Sequence, residues 1–338
     1  MQRSFFEIED CYNRLNKAGD PLLKLDAMIN WSELTKVLKP IKYETGFKGG
    51  RPGLNPLIVV KALLLQSLYN LSDEALEYQI NDRLSFKRFL GITPSQKAPD
   101  ARTIWLYRDR IKDKNLHEKI FGWFLEQIDQ AGYKAQEGQI VDASFIPTHK
   151  PTGKHKKQLA EEIVLTKAQD AQIDRDATFT KKNNKTYHGY KNHIQIDAKH
   201  KIIRKSKVTT ASRHDSQEFA DLVDKDGNEG DGVWADSAYR SEESEEMIKE
   251  KGLESNVHER GYRNNPLTAE QKAVNKARSH IRVRVEHVFG EMATSMGGVV
   301  MHVIGLARIK VKVIFKNLAY NMKRFVYLST PKMGPKCA

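Results

Sequence analysis

The spacing of apolar positions divides this chain into an N-terminal part with helical periodicity and a later part with the alternation of strands. Apolar residues in PLIVVKALLLQSL recur near the helical period of 3.6 residues. The preceding Asn55-Pro56 predicts the helix start, because Asn caps a helix well and Pro is tolerated at its first position. Further helices are predicted to begin at Ser72, near Ser85 and at Asp100, and in HEKIFGWFLEQIDQ before Gly132. Short helices in series fit either a helix-turn-helix DNA reader or an ordinary helical bundle, and the sequence leaves both interpretations open.

From residue 138 onward the pattern changes to that of strands. The segment GQIVDASFIP alternates, so Asp142 shares one face of the predicted strand with Ile140 and Ser144. Downstream, KNHIQIDAKHKIIRKSKVTT predicts a strand pair around a turn at 198–201. The next segments predict a helix in DSQEFADLVDK, a buried strand in GVWAD, a helix in SEEMIKEK after Ser241 and a weak strand in LESNVH. A long helix is predicted from Thr268, with Gln271 completing a capping box. This order of elements is that of the ribonuclease-H-like fold.

The predicted organisation is an all-α N-terminal domain followed by an α/β domain, in which a mixed sheet is flanked by helices. We place the helical domain, with a DNA-binding or dimerisation role, at residues 1–135 and the ribonuclease-H-like domain at 136–330. The α/β domain is expected to carry a polar, basic insertion at about residues 148–186, and residues 331–338 form a tail.

Three acidic residues occupy positions that this fold brings together. Asp142 lies within the first strand, Asp236 ends the buried strand GVWAD, and Glu286 lies on the long basic helix. Strand ends that meet at one edge of an open α/β sheet are where sites form. Carboxylate oxygens are the ligands that Mg²⁺ and Mn²⁺ prefer, and two such ions roughly 4 Å apart support phosphodiester chemistry. The trio is therefore predicted to hold two divalent ions, with Asp142 bridging both.

Taken singly, each acid has an ordinary structural explanation. Asp142 fits a solvent-facing strand residue, Asp236 a turn cap, and Glu286 a surface ion pair with Arg282. His287, next to Glu286, is interpreted as a packed or solvated helix residue. The occurrence of all three acids in this order of elements is what favours a shared site.

Basic side chains surround these acids along the sequence and favour a polyanionic partner. The chain has 56 Lys and Arg against 43 Asp and Glu, a formal net charge of +13. Basic clusters follow the first predicted strand, precede the second, accompany Glu286 on its helix and continue after Glu291. We expect these clusters to follow the phosphates of DNA, with an aromatic residue among them stacking on bases. The candidate DNA-binding residues are Arg282, Arg278, Lys150, Lys191, Lys310, Lys312 and Tyr190.

The remaining composition narrows the class of protein. Cys11 and Cys337 lie near opposite ends without metal-ligand spacing, which argues against a zinc site and for a reducing compartment. Lys61 interrupts the most apolar run, so no segment approaches the roughly 20 residues that span a bilayer. The segment MQRSFFEIEDCYN lacks the apolar region of a signal peptide. A cytosolic protein without a membrane partner is expected.

At these residues the chain resembles the DDE transposases of bacterial insertion sequences, and among them the insertion-sequence-five group of the insertion-sequence-four superfamily. The segments GRPGLNPLIVVKALLL, NLSDEALEYQINDRLSFKRFLGI and PDARTIWLYRDR are similar to that group's N-terminal domain, and VDASFIPTH, HGYKNHIQID, VWADSAYRS and RVRVEHVFG to its catalytic blocks. The resemblance thus extends over nearly the whole chain. Arg282 and Glu286 match the superfamily's helix signature, whereas Ser279 and Ala293 stand where that signature has Tyr and Lys.

The resemblance implies a function for the chain. Asp142, Asp236 and Glu286 would be the catalytic triad, and Arg282 would contact DNA. The enzyme would cleave double-stranded DNA at terminal inverted repeats, expose 3′-hydroxyls and join them to target DNA, with Mg²⁺ or Mn²⁺ as cofactor. It would act as a homodimer on paired ends, in the bacterial cytoplasm in association with the nucleoid. Two other functions stay open: a ribonuclease-H-fold nuclease or resolvase that cuts without joining, and a domesticated DNA-binding relative without catalysis.

Overall fold

Two compact units divide the chain. The computed structural model describes residues 5–41, 53–148, 166–182, 184–225, 227–262, 265–301 and 303–330. One unit comprises Met1–Ile128 together with Leu318–Ala338, and the other comprises Asp129–Asn317. The last helix, Leu306–Ser329, therefore contributes residues to both units. The division after residue 135 that we drew from the sequence did not include this return of the chain to the first unit.

The first unit is helical in its described part. Its elements are α1 (Phe5–Lys17), α2 (Pro21–Met28), α3 (Ser32–Val37), a 3-10 turn (Lys39–Ile41), α4 (Pro56–Tyr69), α5 (Asp73–Asp82), α6 (Leu84–Leu90), α7 (Ala101–Asp113) and α8 (Leu116–Gln130). The side chains of Asn55, Ser72 and Asp100 accept hydrogen bonds from backbone N–H groups in the first turns of α4, α5 and α7. These caps confirm three predicted helix starts, because each depends on residues within one turn.

Helix α4 is the most buried helix segment of this unit, and its charged residue is paired. Val59, Val60 and Leu64 are fully buried. The Nζ atom of Lys61 donates to Asp26 Oδ1 at 2.6 Å and to the carbonyl oxygen of Phe89 at 3.0 Å. The charge that interrupts the apolar run is therefore compensated inside the unit. Among the residues that the structure describes, no helix is long and apolar enough to cross a membrane.

A mixed sheet forms the centre of the second unit. Its strands are β1 (Gln139–Pro147), β2 (Thr178–Lys182), β3 (Lys185–Asp197), β4 (Ile203–Thr210), β5 (Gly232–Trp234) and β6 (Glu254–Ser255). The order across the sheet is β2–β3–β1–β5–β6, and β4 also pairs with β3. Strands β1, β5 and β6 run parallel, whereas β3 is antiparallel to β1, β2 and β4. This mixed α/β arrangement is compatible with the expected ribonuclease-H-like fold.

Helices and 3-10 turns connect the strands of the second unit. They are α9 (Lys167–Asp170), a 3-10 turn (Asp215–Glu218) that leads into α10 (Phe219–Leu222), a 3-10 turn (Ser237–Tyr239), α11 (Glu242–Glu250), α12 (Ala269–Ala293) and α13 (Leu306–Ser329). Ser241 caps α11, and Thr268 forms the predicted capping box with Gln271 at the start of α12. Residues 158–165 of the helix considered for QLAEEIVLTKAQ lie outside the described residues.

The sequence did not predict the hairpin of β2 and β3, which falls inside the expected basic insertion. Thr180 pairs with Tyr187, and the chain turns at Asn184 with a left-handed φ of 61°. Strand β3 therefore begins at Lys185 rather than near Lys191. The hairpin is polar along TKKNNKT, so it lacks the alternation of apolar residues that would have indicated strands.

The alternation of β1 directs its side chains to two different layers. Val141 is buried in an apolar cluster with Phe219, Val233, Tyr239 and other residues of the face that α10 and α11 cover. Asp142 points to the opposite face, where α12 packs against β1 and β5. The candidate acids therefore lie on the side of the sheet that faces α12.

On the Val141 side of the sheet, His193 is buried among charged groups. It pairs with Ala143 in strand register, and its Nδ1 atom lies 3.9 Å from Asp215 Oδ1. Burial lowers the pKa of His193 to about 4; the charges of Lys191 and Lys207 add to this effect, and those of Asp215 and Glu218 oppose it. His193 is therefore neutral at pH 7.

We expect the second unit to lose stability as the pH falls from about 6.5 towards 4, because the unfolded chain takes up a proton that folded His193 does not. His193→Gln removes this proton uptake and should flatten that part of the profile. The midpoint of urea denaturation between pH 7 and 4 measures the effect. The control is His280→Gln, at an exposed position, which retains His193 and should therefore remain steep; an equally steep profile in His193→Gln would contradict the assignment.

Candidate active site

Asp142 lies on β1, and Asp236 lies two residues beyond the end of the neighbouring parallel strand β5. Strands β1 and β5 pair in parallel, with Ile140 opposite Trp234. Asp142 and Asp236 each follow these partners by two residues. Because side chains alternate along extended backbone, both carboxylates point to the same face of the sheet, at the level where β5 ends.

A backbone N–H group holds one oxygen of each aspartate. Asp142 Oδ1 accepts a hydrogen bond from the N–H of Ala143 at 2.8 Å. Asp236 Oδ1 accepts from the N–H of Ala238 at 2.7 Å and so caps the 3-10 turn that follows β5. The turn cap considered for Asp236 is therefore present. It involves one carboxylate oxygen, and the cap orients the other.

Helix α12 brings Glu286 towards Asp142 through Arg282. Arg282 Nη2 donates to Glu286 Oε1 at 2.5 Å, and Arg282 Nη1 donates to Asp142 Oδ2 at 3.3 Å. The surface ion pair considered for Glu286 is present, but it continues into the sheet. Asp142 and Glu286 therefore face the same guanidinium, although 144 positions separate them in the sequence.

The chemistry of the donor set fits a hard divalent cation, whereas the present side-chain positions do not form a cage. Asp142, Asp236 and Glu286 offer only carboxylate oxygens, which Mg²⁺ and Mn²⁺ prefer. Among the described residues, no group of three His, Cys, Asp or Glu side chains is close enough to hold a metal ion. The guanidinium of Arg282 contacts both Asp142 and Glu286.

His258 adjoins this group of residues and was missed in the sequence. Its backbone N–H donates to the carbonyl of Ala235 at 3.1 Å, directly before Asp236. Burial lowers the pKa of His258, the charge of Arg282 lowers it further, and Asp236 opposes both effects. The Oγ atom of Ser279 lies 3.5 Å from His258 Nε2. The sequence feature that could have indicated His258 is its position just after β6, a third parallel strand of the same sheet, because sites form at the ends of such strands.

Tyr239 belongs to the 3-10 turn that follows Asp236, and its side chain lies in the apolar cluster that contains Val141. It is fully buried. Burial raises the pKa of Tyr239 well above its usual value, and the charges of Asp142, Asp215 and Asp236 raise it further.

Two candidate DNA-binding residues are internal, which corrects the prediction from sequence. Tyr190 is 0 % exposed and its hydroxyl donates to Asp174 Oδ1 at 2.6 Å. Lys191 is 8 % exposed, and its Nζ donates to the carbonyl of Arg213 at 2.7 Å and to Asp215 Oδ1 at 2.8 Å. Tyr190 packs in an apolar cluster with Val208, Ile309 and other residues, and Lys191 is paired with carbonyl and carboxylate oxygens, so neither side chain is presented to DNA.

The other candidate DNA contacts differ in their surroundings. Arg278 Nη1 donates to the carbonyl of Val257 at 2.7 Å and to Glu259 at 3.4 Å. Lys310 is exposed on α13, and Lys312 is half-buried. Lys150 lies outside the described residues. Lys310 is therefore the most solvent-exposed of the described candidates, since the side chains of Arg278 and Arg282 are only 18 % and 20 % exposed.

Two protein-family models match this chain. Residues 133–322 match a family model described as "Transposase DDE domain", which covers more than half of the 338 residues and includes all three acids. Residues 9–110 match a second model, described as "Transposase domain (DUF772)". No solved structure matches the chain. Because the DDE-domain model matches more than half of the chain, the chain belongs to the transposases with a DDE domain.

Proposed function

We propose that this transposase cleaves double-stranded DNA at the terminal inverted repeats of an insertion sequence of the insertion-sequence-five group, and joins the exposed 3′-hydroxyls to target DNA. The observation that carries the proposal is the placement of the acids on neighbouring elements. Asp142 lies on β1, Asp236 follows the end of the parallel strand β5 by two residues, and Glu286 shares a guanidinium with Asp142. Family membership supports DNA as the partner.

In this proposal Asp142, Asp236 and Glu286 are the catalytic carboxylates, which would hold the divalent ions. When bound, Mg²⁺ or Mn²⁺ supplies activation of the attacking water or 3′-hydroxyl and stabilisation of the leaving oxygen. The N–H groups of Ala143 and Ala238 each fix one aspartate oxygen, so the second oxygen is oriented before DNA arrives. Burial of β1 and β5 in the sheet keeps the two aspartates in register.

Residues outside the three acids are proposed to bind DNA. The net charge of +13 suits a partner with a phosphate backbone. The helical unit is proposed to bind the terminal repeats or to form the dimer that holds paired ends. Action in the bacterial cytoplasm, on DNA of the nucleoid, follows from this role.

A joining assay tests the proposed function and separates it from cleavage alone. The substrate is a duplex whose end is taken from inverted repeats that flank this gene, supplied either intact or already cut to expose the 3′-hydroxyl. The transposase is expected to cut the intact end and to join the cut end to a target plasmid in the presence of Mg²⁺. Cleavage without any joined product would favour a nuclease or resolvase instead. Binding without either product would favour a non-catalytic relative.

Lys310→Ala is expected to weaken DNA binding about equally for all sequences and to reduce the slope of log affinity against log salt by about 1, because one phosphate contact is lost. Fluorescence anisotropy at several salt concentrations measures both quantities. Lys272→Ala, which removes an exposed charge near the start of α12, serves as the comparison for a general change in net charge. If the slope of Lys310→Ala is the same as that of the native chain, Lys310 makes no phosphate contact.

A further inference from the structure

The guanidinium of Arg282 bridges Asp142 and Glu286, as a shared metal ion would. Its two terminal nitrogens form a fork, with one prong 3.3 Å from Asp142 Oδ2 and the other 2.5 Å from Glu286 Oε1. The side chain is 20 % exposed, so water screens these contacts only partly. Its positive charge offsets the repulsion between the two carboxylates.

Neighbouring arginines on α12 are held in a different way. Arg278 Nη1 donates to the carbonyl of Val257 at 2.7 Å, and Arg284 Nη1 donates to the carbonyl of Ala198 at 2.6 Å. The hydrogen bonds of Arg282, within the described part of the chain, go to carboxylates. Its Nε atom is buried there without a hydrogen-bond partner, which costs free energy. The charges of the acids, rather than a fitted set of backbone acceptors, therefore hold Arg282 in place.

We propose that Arg282 is a built-in counter-ion, which competes with divalent cations for Asp142 and Glu286 and leaves these acids when a cation binds. The inference rests on the proposed function, because it takes these acids as the metal-binding carboxylates. A site that is open only part of the time binds its ligand more weakly, in proportion to the open fraction. Arg282 therefore lowers the affinity of the DNA-free protein for metal.

DNA gives the displaced side chain another anion. A guanidinium binds phosphate oxygens with the same two-pronged geometry that it uses for carboxylates. Arrival of a DNA phosphate near α12 draws Arg282 from the acids and opens the site to cations. Metal binding and DNA binding are then coupled through this side chain, and such coupling acts equally in both directions.

Binding of Mn²⁺ to the DNA-free full chain tests this inference, with the dissociation constant measured from the electron paramagnetic resonance signal of free Mn²⁺. Arg282→Gln is expected to bind Mn²⁺ about tenfold more tightly than the native chain, within the usual range of coupling between sites. Arg282→Lys keeps the charge but loses the fork, so its affinity should lie between the two. Adding a DNA duplex should tighten Mn²⁺ binding in the native chain and do so less in Arg282→Gln.

Arg284→Gln is the matched control, because it removes one positive charge from the same helix without touching Asp142 or Glu286. It should bind Mn²⁺ as the native chain does. An unchanged dissociation constant in Arg282→Gln, or an equal change in Arg284→Gln, would overturn the counter-ion role. If the native chain still binds Mn²⁺ and Asp236→Asn weakens that binding, the proposed function survives such a result. Failure of the native chain and of Arg282→Gln to bind Mn²⁺ at all would overturn both.

Discussion

Asp236→Asn is expected to lower DNA cleavage by at least about a thousand-fold while DNA binding stays within about twofold, because the change removes a carboxylate from a group that acts as a unit. Asn has the same shape and keeps an Oδ1 acceptor. The hydrogen bond from the N–H of Ala238 at 2.7 Å, which caps the turn after β5, is therefore preserved. Asn and Asp serve about equally as caps, so folding should not change.

Single-turnover cleavage of a labelled duplex in Mg²⁺ measures the effect of Asp236→Asn, and fluorescence anisotropy measures DNA binding. The control is Asp231→Asn, which removes an exposed carboxylate just before β5, at the opposite end of the same strand. Its cleavage rate should remain close to the native rate. Parallel loss of cleavage and DNA binding in Asp236→Asn would mean that Asp236 has a structural role, and native cleavage would remove it from the catalytic set.

Gly138→Ala is expected to destabilise the second unit by about 2–4 kcal/mol, through both backbone strain and a steric clash. Gly138 has a φ of +79°, in the left-handed region that L side chains rarely adopt. A Cβ atom there would lie 2.3 Å from the carbonyl oxygen of Gly232 and 2.5 Å from the ring of Trp234. The backbone of β5 is the rigid partner in this clash, so the start of β1 has to move away from β5.

Hydrogen exchange of the amides in β1 and β5, together with urea denaturation, measures the effect of Gly138→Ala. Cleavage should also fall, because the same strand pair aligns Asp142 with Asp236. Gly290→Ala is the matched control: Gly290 lies on α12, and a Cβ atom there would meet open space. Alanine favours helix over glycine, so this variant should match the native stability or exceed it by up to about 1 kcal/mol. Equal stability of both variants would show that the contact between β1 and β5 adapts without cost.

The sequence was sufficient where structure depends on neighbouring residues. The caps at Asn55, Ser72 and Asp100 and the capping box of Thr268 each join atoms within one helical turn. The order of strands and helices could be predicted for a similar reason, because apolar alternation and helical periodicity extend over short stretches of sequence. The strand pair around residues 198–201 and the parallel pairing of β1 with β5 agree with that order.

The sequence was insufficient where a residue's surroundings come from distant segments. From the sequence, Tyr190 and Lys191 were predicted to contact DNA, because basic residues surround them along the chain. In the fold, Ile309 and Val313 of α13 pack against Tyr190 and Asp174 accepts its hydrogen bond. Asp215 pairs with Lys191. Burial of a charged residue depends on such long-range partners, which local composition does not encode.

By itself, the sequence determined the two kinds of architecture, the positions of three acids on two strands and a helix, and an excess of positive charge. Each of these follows from local pattern or from counting. The tertiary structure alone decided that β1 pairs in parallel with β5, which ends two residues before Asp236, and that Arg282, 140 positions from Asp142, contacts both Asp142 and Glu286. The physical reason is that strand register and helix packing are set by the whole sheet and its two covering layers, so they determine which charges meet only after the chain has folded.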